Sequence, residues 1–231
     1  MSPSQRCPRP RAPRAFRLAG LAAVLALAAG CAKQAEAPSG PVQPARPEDV
    51  QAATVSMWRS QFDAHKEQWN AVMTSDDASP LPEDRRASFP GLAFYAYDPA
   101  GRYVGDLERL RPPGFIQVPD TKGRAQAYLD YGRFPIERNG VVATLEVYRP
   151  VEHPEQFFIA FFDSTNGSET YAGGRYAHLD SLDTHRFVLD FNQAYNPYCA
   201  YDSSWMCPIP PRANALPFAV RAGMMNAPGA H

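Results

Sequence analysis

Residues 134–148 read FPIERNGVVATLEVY, and this stretch decides the fold. Asn139-Gly140 is a dipeptide that suits a two-residue hairpin turn of type I′, in which both central positions need positive φ. Beyond the turn, Val141, Ala143, Leu145 and Val147 share one face of a strand running to Tyr148. Before it, Ala127 to Ile136 supplies the partner. An antiparallel hairpin is predicted, and the rest of the chain repeats its signature.

Leu92 to Tyr97 turns at Asp98-Pro99-Ala100-Gly101 into Tyr103 to Leu110, which predicts a second hairpin. Phe115 to Val118 reads as a short strand. Phe157 to Phe162 is continuously apolar, as a strand covered on both sides would be. Phe187, Leu189 and Phe191 alternate with Val188, Asp190 and Asn192. The first set is assigned to the core, so Asp190 and Asn192 are expected to face solvent or a cleft.

Upstream the period changes. Val55, Trp58, Phe62, His65, Trp69 and Val72 recur at spacings of three and four, the stripe of one helix face. Pro47, Glu48 and Asp49 suit its first turn, and Ser79-Pro80-Leu81-Pro82 forbids its continuation. His65 reads here as a packing residue within the stripe. The fold expected is mainly β, an antiparallel β-sandwich or barrel, with one N-terminal amphipathic α-helix.

The N-terminus has another character. Arg6, Arg9, Arg11, Arg14 and Arg17 precede an apolar run from Leu18 to Ala29, and Leu27-Ala28-Ala29-Gly30 leads into Cys31. The run is too short to span a bilayer, which takes about 20 residues. The pattern is that of a lipoprotein signal, with Cys31 as the acylated first mature residue. Residues 1–30 are thus expected to be a signal peptide. Residues 31–46, with their scattered Pro and Gly, form a disordered tether. Residues 47–225 make one domain, and 226–231 a flexible tail. The implied location is the cell envelope, on the outer membrane facing the periplasm, with the membrane as a partner through Cys31.

Loss of the five arginines takes 23 basic residues to 18 against 24 acidic ones. That balance excludes nucleic acid as a partner, since such binding needs a basic patch. Cys7 leaves with the signal and Cys31 carries lipid. Cys199 and Cys207 remain, in a compartment that permits a disulfide between them.

Polar and aromatic residues concentrate between Asp163 and Leu216. Asp163 precedes a turn. Glu169-Thr170-Tyr171 and Gly174-Arg175-Tyr176 follow, then Asp190-Phe191-Asn192, Ala194-Tyr195-Asn196-Pro197 and Cys199-Ala200-Tyr201. Cys207-Pro208, Pro210-Pro211, Asn214 and Leu216-Pro217 complete the series. This combination resembles the bacterial and archaeal family called domain of unknown function 1684. Ser79-Pro80-Leu81 and Phe89-Pro90-Gly91-Leu92 fit it too. The resemblance spans roughly residues 50 to 223 and implies one domain but no activity.

The residues themselves suggest a surface for a small polar ligand, a sugar or an envelope protein. Arg175 offers a planar fork for carboxylate or phosphate. Asp163, Glu169, Asp190, Asn192 and Asn196 offer polar groups, and Tyr171, Tyr176 and Tyr195 aromatic walls. Arg175, Asp190 and Asn192 are expected in one cluster beside the Asn196 turn. Three other readings stay open: a buried ion-pair network that pins long loops, a hydrolase built on Asp163, Glu169 and Asp190, and a redox or metal-handling site at Cys199 and Cys207. No G-x-S-x-G elbow, H-E-x-x-H or Walker loop is present, and no cofactor or metal site is assigned.

Overall fold

The structure is a computed structural model that describes residues 40–45, 50–75 and 78–226. Cys31 and the signal segment fall outside the described residues, as do Pro47, Glu48, Asp49 and 227–231.

One sheet of seven antiparallel strands forms the body, in the order β1-β7-β6-β5-β4-β3-β2. The strands are β1 (Arg102–Asp106), β2 (Glu108–Pro119), β3 (Ala125–Arg138), β4 (Val141–Pro150), β5 (Phe158–Phe161), β6 (Arg175–Ser181) and β7 (Arg186–Asp190). β1 and β2 are the two edges of this order, yet Leu107 alone separates them in the chain. One residue cannot cross a flat sheet, so the sheet curls into a half-barrel. The expected antiparallel β architecture is present as a single curled sheet rather than as two stacked sheets.

The Asn139-Gly140 hairpin forms as its sequence demands. Asn139 and Gly140 both take positive φ, 52° and 78°, and Arg138 pairs with Val141. Along β4, burial grows away from the turn: Val141 is exposed, while Leu145 and Val147 are sealed in the core. β5 is buried at every position, as its unbroken apolar run required. Tyr103, Phe134, Phe161, Phe187, Leu189 and Phe191 fill the concave face. On the convex face Tyr128, Tyr148, Phe158 and Tyr176 pack with Cys207.

Two expectations are corrected. Leu92 to Tyr97 is not a strand of the sheet, and β1 pairs instead with β7. A 3-10 turn at Pro99–Gly101, capped by the Asp98 carboxylate, turns the chain away. The backbone at 93–95 then finds its partners in the C-terminal segment, where Tyr95 N–H donates to Gly223 and Met225 N–H to Ala93. The tether reading fails at its C-terminal end. Val42 N–H donates to Pro135 O, Glu137 N–H to Val42 O and Ala45 N–H to Arg102 O, so residues 41–45 dock on the sheet.

α1 spans Ala52–Thr74. Of its stripe only Phe62 is buried, with Met73 beside the C-terminus; Val55, Trp58, His65, Trp69 and Val72 are half-exposed. The helix rests on aromatic contacts rather than a sealed face. Phe62 meets Phe94 and Tyr97 at 6.0 and 5.7 Å, and the Arg102 guanidinium lies 4.8 Å from the Trp58 ring. Asn70 Oδ1 accepts the Leu92 N–H at 2.8 Å. A helix held at points leaves space beneath it. Among the described residues no helix is long and apolar enough to cross a membrane.

Candidate functional site

Alternation along β6 divides the polar residues between two faces. Arg175, Ala177 and Leu179 point into the core, whereas Tyr176, His178 and Asp180 point outward. Residues contiguous in sequence therefore serve different purposes.

On the inner side Arg175 is fully buried and pairs with Asp163 at 2.8 Å. Its Nη1 and Nη2 groups also donate to the carbonyls of Val220, Ala222 and Met224, while its buried Nε has no partner. Asp163 also accepts from Thr165 N–H and Oγ1–H at 2.8 and 2.6 Å. Both groups are spent on holding the C-terminal segment against the sheet. Glu169 does similar work nearer the surface: Arg221 grips it from Nε and Nη2, and Tyr95 donates to it at 2.9 Å. The two partners hold its carboxyl below the usual range.

Asn192 has left the strand for a 3-10 turn over Phe191–Gln193 and is buried rather than facing solvent. Its side chain exchanges two hydrogen bonds with the backbone of Asp98. Asn196 is buried too, donating to Met225 O at 2.9 Å. Of the expected cluster, Asn192 meets Asp190, donating to its Oδ1 from the backbone N–H and from Nδ2 at 3.0 and 2.8 Å, whereas Arg175 has a different partner. Asp190 pairs with Arg102 at 2.8 Å, while Arg175 belongs to Asp163.

The outward residues meet α1 across a cleft of about 390 Å³. His65, Gln68, Trp69 and Val72 form its roof. His178 and Asp180 of β6, Asp190 of β7, and Gln193, Tyr195 and Tyr198 beyond it form the floor and walls. Tyr195 is the centre of this arrangement. It stacks on Trp69 with ring centroids 5.0 Å apart and on His178 at 5.5 Å, and its hydroxyl lies 3.0 Å from His178 Nε2. Burial lowers the His65 pKa below its ordinary value, and the nearby His178 adds to this against the pull of Asp190 and the Gln193 carbonyl. His65 Nε2 is shut away from solvent with no hydrogen-bond partner.

Past the shared wall of Trp69, His178, Tyr195 and Tyr198 lies a more apolar groove of about 400 Å³, lined by Tyr128, Phe158, Tyr176, Trp205 and Met206. Tyr176 donates its hydroxyl to Pro208 O at 2.5 Å. Cys207 sits in this groove's floor. Cys199 and Cys207 carry free thiols in this structure, with the Cys199 N–H donating to Cys207 Sγ at 3.1 Å. The neighbouring Cys207 thiol pulls the Cys199 pKa down, and the Cys207 thiol is pushed up in return. Tyr171 brings its hydroxyl to 3.9 Å from Cys199 Sγ. Among the described residues no three His, Cys, Asp or Glu side chains converge as a metal would require.

Of the residues singled out from sequence, Asp190 and Tyr195 line the cleft, and Tyr176 and Tyr195 the groove. Asp163, Glu169, Tyr171, Arg175, Asn192 and Asn196 line neither. His65, Trp69, His178 and Asp180 are the additions. The signal for His178 and Asp180 lay in the alternation with Tyr176. For His65 and Trp69 nothing local separates a helix stripe that packs from one that roofs a cavity.

No curated protein matches this chain. The solution structure of an uncharacterised protein from Haloarcula marismortui is similar at 30% identity, with a TM-score of 0.61, covering 76% of this chain and 97% of that one. The model of a protein family of unknown function, DUF1684, matches residues 87–225. That match contains the sheet side of the cleft, whereas α1 precedes it. The chain belongs to the DUF1684 family.

Proposed function

We propose that this chain is a cell-envelope lipoprotein, anchored through Cys31, that binds a small polar ligand in the cleft beneath α1. The observation that carries the binding reading is the Tyr195 stack between Trp69 and His178, set beside the carboxylates of Asp180 and Asp190. An open pocket of this size with aromatic walls and a few converging polar groups is what small-ligand sites present. The roof is held at separate contacts, so a ligand can enter without unfolding it. The envelope location rests on the arginine-rich leader, the apolar run and Cys31.

A hydrolase built on Asp163, Glu169 and Asp190 has little support. Each carboxylate is taken by a different arginine, and only Asp190 reaches the cleft. The thiol pair favours a second reading as a redox element, because the Cys199 backbone N–H donates to Cys207 Sγ and the two thiols interact with each other.

The test is an NMR screen of the purified protein against monosaccharides, amino acids and small amines at millimolar concentration. Shifts at the Trp69 indole and the His65 and His178 rings, lost in Trp69→Ala, are expected. Perturbations confined to other surfaces, or none at all, overturn the reading.

A further inference from the structure

The cleft has an unusual balance of charge for its size. Two carboxylates line it, Asp180 and Asp190, and no lysine or arginine does. Arg102 opens onto an adjoining recess, but it is committed to Asp190 at 2.8 Å and to the Trp58 ring. Asp180 makes no ion pair with any described residue. The histidines do not restore balance. His65 Nε2 is buried with no hydrogen-bond partner, and desolvation lowers the pKa of His178, whose Nε2 lies 3.0 Å from the Tyr195 hydroxyl. The cleft therefore carries one uncompensated negative charge.

The remaining polar lining is amide. Gln68 and Gln193 present side chains that make no hydrogen bond with another described residue, and their carbonyl oxygens can accept. Trp69, Tyr195 and Tyr198 supply ring surface and edge. Electron-rich rings beside a carboxylate attract cations that carry apolar substituents, and such contacts strengthen as water is excluded. An anion would meet Asp180 with nothing to offset it. A neutral ligand covering Asp180 would strip its water and return no charge.

We propose that the cleft selects a small organic amine in its protonated form, the ammonium facing Asp180 and the Gln68 and Gln193 amides, its carbon skeleton against Trp69 and Tyr195. This rests on the reading of the cleft as a ligand site and specifies its ligand. An alkyl diamine and an amino sugar share the required chemistry, and the test separates them.

The experiment is isothermal titration calorimetry of the purified protein near pH 7.5 with four probes: 1,5-diaminopentane, 1,5-pentanediol, glucosamine and glucose. The amines should bind at least tenfold more tightly than their neutral counterparts, and the tighter amine identifies the skeleton. Asp180→Asn removes an exposed charge without touching the core, so its melting temperature should stay put. Its amine affinity should fall about tenfold, and the residual binding should lose its salt dependence. Equal affinity for glucosamine and glucose, or an unchanged Asp180→Asn, overturns charge selection while leaving a cleft that binds. Silence from all four probes overturns the inference as well. The broader ligand-site reading then falls only if the NMR screen also leaves Trp69 and His65 unmoved.

Discussion

Arg175 and Asp163 form an ion pair at 2.8 Å with neither side chain exposed, and through it the Arg175 guanidinium ties three backbone carbonyls of the C-terminal segment to the sheet. The strongest local sequence signal in the chain, an arginine after two glycines, thus serves architecture. Gly174 explains the glycine: its φ is +88°, and a Cβ there would stand only 2.7 Å from Phe161 O and from the Pro210 ring, so it would collide. The pair predicts a severe penalty for partial disruption. Asp163→Asn leaves a buried guanidinium without its counter-charge and should cost about 3–5 kcal/mol. Urea denaturation measures this, and a loss below about 1 kcal/mol would show that the clamp is not under load.

His65 predicts a pH dependence of stability. Its pKa is lowered in the folded protein, chiefly by burial, with His178 adding to the effect and Asp190 and the Gln193 carbonyl opposing it. The unfolded chain then binds the proton more readily. The neutral ring's contribution is fully present above about pH 6.5, the unfolded value, and is lost as pH falls through the folded value. Stability between about pH 7 and 5 should fall less steeply in His65→Gln than in the parent. NMR titration of the His65 ring should give a midpoint below that of a free histidine.

Cys199 and Cys207 predict a response to compartment. Their thiols adjoin in the reduced structure, and the lowered Cys199 pKa makes it the attacking sulfur. In an oxidising envelope they should form a disulfide closing a nine-residue loop, worth roughly 2.5 kcal/mol in the chain-entropy model. Alkylation followed by mass spectrometry of the exported protein should find both cysteines blocked until reductant is added. Two freely alkylated thiols would refute this.

Gly105 predicts how residues 41–45 are held. A Cβ at this position would stand 2.0 Å from Val42 Cγ2. Gly105→Ala should lift the segment while leaving the sheet folded. Hydrogen exchange would then show faster exchange at Val42 and Glu137, whose N–H groups bond across this junction, with β4 unchanged.

Cys31 predicts lipid attachment. Labelled palmitate should enter the parent protein and not Cys31→Ser, and the variant should leave the membrane fraction. Equal labelling of both would remove the envelope assignment.

What the sequence determined by itself was local. Asn139-Gly140 set a hairpin because it readily takes the positive φ at both positions of a type I′ turn, whose twist matches that of the strands. Period two marked Phe187 and Leu189 as inward, and the apolar run at 157–162 marked a strand covered twice, because side-chain direction follows backbone geometry alone. The helix announced its C-terminal end through its proline stop, but it starts at Ala52 rather than near Pro47 as its acidic lead-in suggested.

Tertiary structure decided everything that depended on a partner distant in the chain. Leu92 to Tyr97 carries strand residues, yet it gave its hydrogen bonds to the C-terminal segment because the 3-10 turn at Pro99 aims it there. Arg175 and Asp190 share one motif-rich segment, but the sheet between them sends one to Asp163 and the other to Arg102. The cleft exists because Trp69 on a helix and Tyr195 in a loop stack 5.0 Å apart, over a hundred residues distant in the chain. A contact of that kind is set by how the curled sheet presents its convex face to α1, and no periodicity within either segment encodes it.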